Sequence, residues 1–222
     1  MSQETSPASK LPLPVILSGL VLLVFGVLAA RYVLSPHSPA YSRKPPAHYL
    51  QPGKPLKGFA LIDYDHQPFT PDRLKGRWTF MFFGYTNCPD VCPTTLLKMK
   101  SVWNKLPAAA RARPAPQMVF VSVDPKRDTP ERLKKYVTFY HPGFLGVTGK
   151  AKEINKLTHQ VGVQYSFTKN SNGGYTVNHS AQIILVDPKG EMRAVFSPPH
   201  KVEELLNGYI KIRNYYEQRK NS

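Results

Sequence analysis

The chain is poor in cysteine. Among 222 residues there are two, Cys88 and Cys92, set close together as C-P-D-V-C. That excludes a disulfide-stapled scaffold, because a bridge closing so short a loop would restrict the unfolded chain only slightly. Nor is a staple needed. A domain of roughly 150 residues buries about two thirds of its unfolded surface, and the chain beyond residue 35 is longer than that. Chemistry is the better reason for the pair. Acidic charge is the second scarcity: 14 Asp and Glu face 30 Lys and Arg, for a net charge of +16. Glu4, Lys10 and Arg31 are the charged side chains of the first 35 residues, so the basic excess sits in the remainder. Such a surface attracts anionic partners at long range. Internal repeats, nucleic-acid recognition motifs and free-standing basic arms are all lacking. Nucleic acid is therefore not expected as a partner. A basic domain beside a membrane and a charge-steered docking surface both stay open.

A third absence is charge of either sign over residues 11–30, LPLPVILSGLVLLVFGVLAA. A helix needs about 20 apolar residues to cross a bilayer core. Pro12 and Pro14 fall at the start, where a helix tolerates proline, and Tyr32 suits the interface. A transmembrane anchor over 11–34, behind a short tail at 1–10, is expected. The rival is a cleaved signal peptide, whose apolar stretch is about 7–15 residues; Ala29-Ala30 resembles a cleavage site. Lys10 on one flank and Arg31, Arg43 and Lys44 on the other slightly favour a cytoplasmic C-terminal domain. Long domains translocate despite such charge, so the flanks do not decide orientation. Residues 35–55 hold Pro36, Pro39, Pro45, Pro46, Pro52 and Pro55, which predicts an extended spacer of about 3 Å per residue.

The globular part, 56–222, alternates strand and helix signals. WTFMFFGY (78–85) and MVFVSV (118–123) are continuous apolar runs, as in buried strands. TTLLKMKSVWNKL (94–106) has helical spacing. Asp128-Thr129-Pro130-Glu131 starts a helix to about Tyr140, and AKEINKLTHQVG (151–162) is a helix ending at glycine. AQIILV (181–186) and MRAVFS (192–197) are strands about the turn Asp187-Pro188-Lys189-Gly190. An amphipathic helix over 202–218 closes the chain. This order predicts an α/β fold, a mixed sheet flanked by helices, preceded by one N-terminal transmembrane helix.

Cys88 follows the first buried strand and precedes a helix. Sites in open α/β sheets form at the carboxyl ends of strands, and a helix N-terminus favours the thiolate. The spacing differs from the Cys-x-x-Cys of thioredoxins. Positions i and i+4 of a helix hold Cβ atoms about 5–6 Å apart, wider than the 3.5–4.5 Å of a disulfide. Two sulfurs sharing one metal accept that width, so the spacing leans to metal without excluding a disulfide. Two thiolates make an incomplete site. Of seven histidines, His179 is singled out because it directly precedes the AQIILV strand, whose start faces the cysteine loop in a thioredoxin-like sheet. Two sulfurs and one imidazole suit Cu(I) or Cu(II). Structural zinc normally takes four ligands, which puts copper ahead of zinc as the expected cofactor, although an aspartate or a water could complete either shell. Asp124, in SVDPKRDTP, ends the second strand; it is either an Asp-Pro turn or a partner that orients a ligand. Asp90 is expected to be an exposed loop residue.

FFGYTNCPDVCPTT, VSVDPKRDTPERLKKYV, HPGFLGVTG and VNHSAQIILVDPKG together resemble the Sco/SenC proteins, copper chaperones for cytochrome c oxidase assembly. The resemblance implies a thioredoxin-like fold with copper ligands at Cys88, Cys92 and His179, and maps that family's aspartate onto Asp124. It also implies a domain facing the periplasm in bacteria or the intermembrane space in mitochondria; the short spacer and the lack of an evident transit peptide point to the bacterial inner membrane, with a single span and the domain in the periplasm. The implied partners are the copper-site subunit of cytochrome c oxidase and other periplasmic copper chaperones or thiol reductants. A metallochaperone of this kind is not an enzyme. Alternatives are a thiol–disulfide oxidoreductase, with Cys88 and Cys92 as its redox pair, and a redox or copper sensor. Tyr175 to Ser180 lacks the proline that ordinary thioredoxins carry before the corresponding strand, which weighs against a general thiol exchanger.

Overall fold

A computed structural model describes residues 22–27, 30, 49–111, 114–171 and 173–220. The chain divides into two units, Met1–Ser42 and Arg43–Ser222. In the first, residues 22–27 are helical and exposed. The rest of the expected anchor over 11–34, apart from Ala30, lies outside the described residues, as do the tail at 1–10 and residues 35–48. Among the described residues no helix is long and apolar enough to cross a membrane.

The second unit runs β1 (Tyr49–Pro55), β2 (Leu61–Asp63), β3 (Pro68–Phe69), β4 (Thr79–Gly84), α1 (Val91–Lys105), β5 (Gln117–Ser122), α2 (Pro130–Tyr140), β6 (Phe144–Thr148), α3 (Ala151–Val161), β7 (Tyr165–Lys169), β8 (Tyr175–His179), β9 (Ile183–Val186), β10 (Glu191–Phe196) and α4 (Val202–Lys220). Eight strands form one sheet in the order β1-β10-β9-β4-β5-β6-β2-β3, while β7 and β8 make a separate hairpin. β4 pairs in parallel with β5 and antiparallel with β9. All six of its residues are buried, because it lies mid-sheet with both faces covered. Phe82 stands between Phe120 and Ile183 in register, so the strand's C-terminal end delivers the chain to the cysteine loop from a rigid position.

Each helix follows local chemistry. Thr129 caps α2 by accepting from Arg132 N, Pro130 fills the first turn, and Leu133, Val137 and Tyr140 bury one face. α3 buries Ile154, Leu157, Thr158 and Val161, then stops at Gly162 in the left-handed region at φ +71°, a conformation costly for other residues. α1 buries Cys92, Thr95, Leu96, Met99 and Val102 and packs on α4 and α2.

Three sequence expectations differ from the structure. The end of the expected spacer is strand β1, paired with β10. Pro52 and Pro55 are tolerated because β1 is an edge strand, where a missing N–H need not join a ladder. β2, β3, β6 and the β7–β8 hairpin were not anticipated. His179 does not lead directly into the next strand: it ends β8, and three residues separate it from β9.

Arg193 on β10 fastens the edge strand β1 and the helix α4 to the sheet. Its guanidinium lies 2.5 Å from Asp187 and from Glu191, donates to Leu50 O, and sits over the rings of Tyr49 and Tyr216. Asp187 is fully buried. Removing one partner of a buried pair strands the other charge. Arg193→Met is expected to cost about 3–5 kcal/mol of unfolding free energy in denaturant titrations. Lys75→Ala, which breaks an exposed pair with Asp72, should change it by less than about 1 kcal/mol.

Candidate metal centre

The cysteine loop leaves β4 at Gly84 and is pinned at its start. Thr86 donates through N and Oγ1 to the two oxygens of Asp128, at 2.9 and 2.6 Å. Ser122, at the end of β5, donates to the same carboxylate at 2.6 Å. Arg132 bridges from α2 to Thr86 Oγ1 and Asn87 Oδ1. Asp128 is therefore more than the helix-start residue its sequence context suggests; buried at 1 % exposure, it joins β5, α2 and the loop. Cys88 N donates to Tyr85 O, closing a turn. α1 then begins, with Cys92 buried in its first turn and Cys92 N donating to Cys88 Sγ at 3.4 Å.

His179 reaches this point from the hairpin. Its Nε2 is 3.3 Å from Cys92 Sγ. The ligand atoms of Cys88, Cys92 and His179 all lie within 4.8 Å of one another, the one such group of three metal-ligating side chains among the described residues. His179 Nδ1 is 3.2 Å from Ser180 O. A carbonyl only accepts, so this contact places the proton on Nδ1 and turns the Nε2 lone pair toward the sulfurs. Phe82 and Tyr85 stand edge-on to the imidazole, each at 6.0 Å between centroids.

The thiols are not equivalent. A hydrogen bond from Cys92 pulls the Cys88 thiol down to about 4 against the opposing cost of burial, with the backbone amides of Cys92 and Asp90 adding to the effect. The same bond, joined by burial, pushes the Cys92 thiol far up. In the metal-free protein one thiolate sits half-exposed, and the second sulfur keeps its proton beneath it. Both cysteines are free.

Asp124 is buried but reaches the three residues only indirectly. It accepts from Tyr175 Oη at 2.7 Å and from Arg127 Nε. Arg127 also donates to Tyr175 O, with its guanidinium 3.8 Å from the Tyr175 ring centre and 5.6 Å from that of Tyr85. Asp124 thus clamps the start of β8, the strand that ends in His179. Asp90 is exposed and holds the N-cap position of α1. The other described histidines lie elsewhere: His66 pairs with Glu131, His141 packs on Trp103 and Phe144, His159 is exposed, and His200 is buried near Ala181. His37 and His48 lie outside the described residues.

Sequence reasoning missed Asp128, the Arg127–Tyr175 clamp and Gly84. A Cβ built on Gly84 would lie 2.6 Å from Cys92 Sγ and 2.9 Å from the Phe120 ring. A glycine between a buried strand and a cysteine loop was the available signal. Gly84→Ala is expected to cost about 1–3 kcal/mol by overpacking, measured by thermal unfolding, and to displace Cys92. In the reduced, metal-free protein, thiolate absorbance should rise as pH increases through about 4, Cys88 being protonated below that value and ionised above it. Cys92→Ala, which removes the hydrogen bond, should move the step toward the ordinary thiol value near 8.5.

Comparison with known proteins agrees with this arrangement. The sequence-family model described as SCO1/SenC matches residues 49–214. The chain is 33% identical over 194 residues to a SCO2-like protein of Rickettsia felis, covering 85% of this chain and 93% of that one. It is 35% identical over 158 residues to the mitochondrial SCO1 homolog 1 of Arabidopsis thaliana, covering 71% of this chain and 47% of the relative. Among solved structures, copper-bound Arabidopsis thaliana ScoI aligns with a TM-score of 0.65 at 34% identity, covering 72% of this chain and 99% of that one. Copper-bound yeast Sco1 aligns at 0.65 and 30% identity, covering 76% and 95%. The fold is accordingly thioredoxin-like, and the chain belongs to the SCO1/SenC family.

Proposed function

We propose that this chain is a membrane-anchored copper chaperone in which Cys88, Cys92 and His179 hold the ion as cargo. The observation that carries the reading is the approach of three ligand atoms to within 4.8 Å. Two relatives of the same fold are described as copper-bound. Thiolates select Cu(I) and imidazole also serves Cu(II), whereas structural zinc normally closes a four-ligand shell. Three ligands leave a coordination position to an incoming thiolate, as transfer by ligand exchange requires. Cys88, half-exposed, is the ligand a partner reaches first.

The recipient in this reading is the dinuclear copper site of a cytochrome c oxidase subunit. The domain lies in the periplasm, held by an anchor at 11–34, and draws copper from other chaperones. The charge around the loop suits an acidic partner. Lys126, Arg132 and Lys135 are exposed and outnumber the exposed Asp90 and Glu131, while Asp124 and Asp128 are buried; an excess of one sign around a docking face selects partners of the opposite sign and speeds their approach.

A second reading rests on the unequal thiols. A depressed, half-exposed Cys88 thiolate is suited to attack a partner disulfide, with Cys92 then displacing the partner sulfur. The partner gains two thiols and Cys88–Cys92 becomes a disulfide. Such reduction of a recipient's copper-site cysteines would accompany delivery and does not need His179.

Titration of the detergent-solubilised, reduced full chain with Cu(I) and Cu(II) tests both readings. Near one-to-one binding is expected, with a sulfur-to-copper charge-transfer band for Cu(II). His179→Ala should weaken Cu(II) binding sharply and leave Cys88–Cys92 disulfide formation intact. Normal copper binding by His179→Ala, together with lost thiol exchange, would reverse the assignment of roles.

A further inference from the structure

His200 lies between β10 and α4, is 6% exposed, and belongs to none of the groups assigned above. Its Nε2 is 2.7 Å from Ala181 O. Since a carbonyl only accepts, Nε2 carries the proton and donates. Nδ1 is then a bare acceptor, and it is buried with no hydrogen-bond partner among the described residues. Burial also pushes the ring toward its neutral form. A buried acceptor left unpaired costs stability, so the ring is kept for the bond it makes on its other side.

That bond falls where the sheet stops holding the chain. The β9–β10 ladder has its last pair at Ile183 and Phe196. Ala181 is beyond it, two residues after His179. The hairpin that carries His179 is not part of the eight-stranded sheet, so its placement depends on anchors at its ends. Arg127 clamps Tyr175 at the start of β8. Ser180 exchanges hydrogen bonds with Gln164, N to O and N to Oγ, each at 2.9 Å. These contacts tie β8 to β7 and to the β5–α2 connection. The His200 bond ties the segment after His179 to the main sheet and to the start of α4.

We propose that His200 is a positioning residue for His179: by donating Nε2–H to Ala181 O it fixes the 180–182 segment and holds the imidazole against the two sulfurs. The inference rests on the copper-centre reading of Cys88, Cys92 and His179. A direct hydrogen-bond partner of a metal-binding histidine typically changes metal affinity about 10–100-fold; His200 acts one step further out, through the 180–182 backbone, so the low end of that range is expected.

A double-mutant cycle on the full chain tests it, with Cu(II) affinity and thermal unfolding measured on the wild type, His200→Ala, His179→Ala and the double variant. His200→Ala is expected to weaken Cu(II) binding about tenfold, and that loss should vanish in the His179→Ala background while the stability change persists in both. His200→Gln, whose amide can donate to Ala181 O, should recover most of the affinity. His200→Phe, which keeps the ring and removes the donor, serves if the alanine variant does not fold. An equal loss of affinity in both backgrounds overturns the proposal. A second arm needs no copper: in the metal-free protein, the His179 ring signals in carbon–proton NMR spectra should broaden or split in His200→Ala and sharpen again in His200→Gln. If the wild type binds no copper, the copper-centre reading fails and this arm decides alone. Ring signals unchanged by His200→Ala would overturn the positioning role.

Discussion

Two sulfurs and one imidazole nitrogen from distant parts of the chain approach one point, and the surrounding structure exists to hold them there. Cys92 and His179 are 87 residues apart in sequence and 3.3 Å apart at their side-chain tips. The sulfurs come from a short loop and the first turn of a helix, fixed by a buried strand below them. The nitrogen comes from a hairpin outside that sheet. Rigidity on the sulfur side is built in by the β4 ladder and by Asp128, which gathers Thr86 and Ser122. On the hairpin side it is supplied contact by contact.

The charge distribution follows the same division. Near the sulfurs, Asp124 and Asp128 are buried and hydrogen-bonded, whereas Asp90 and Glu131 are exposed among the more numerous basic Lys126, Arg132, Lys134 and Lys135. Cys88 is held as a thiolate chiefly by a hydrogen bond from Cys92. In the proposed copper centre, a soft ion would meet one ready thiolate, a second that ionises on binding, and an imidazole whose lone pair is already turned inward. Metal binding releases a proton in such an arrangement, so affinity and proton release are coupled through Cys92.

The central sheet was legible in the sequence because its strands bury both faces. TFMFFG, QMVFVS and IILV read as unbroken apolar runs, and α2 and α3 announced themselves by Pro130 and Gly162. The hairpin was not legible. YSFTK and YTVNH bury little beyond Val177, so neither shows a core-facing pattern, and the histidine they carry was placed one element too late. β1 was hidden by prolines that an edge strand accepts. Cys88, Cys92 and His179 could be named because their residue types are scarce and their positions adjoin strong strand signals. Asp128 could not, since an aspartate before Thr-Pro reads as a helix start whether or not its carboxylate is buried.

X-ray absorption at the copper edge of the loaded full chain tests the central claim most directly. The account predicts a first shell of two sulfurs and one imidazole nitrogen, with the nitrogen contribution lost in His179→Ala and one sulfur lost in each single cysteine variant. A shell of oxygen and nitrogen alone, or one that is unchanged when His179 is replaced, would contradict it.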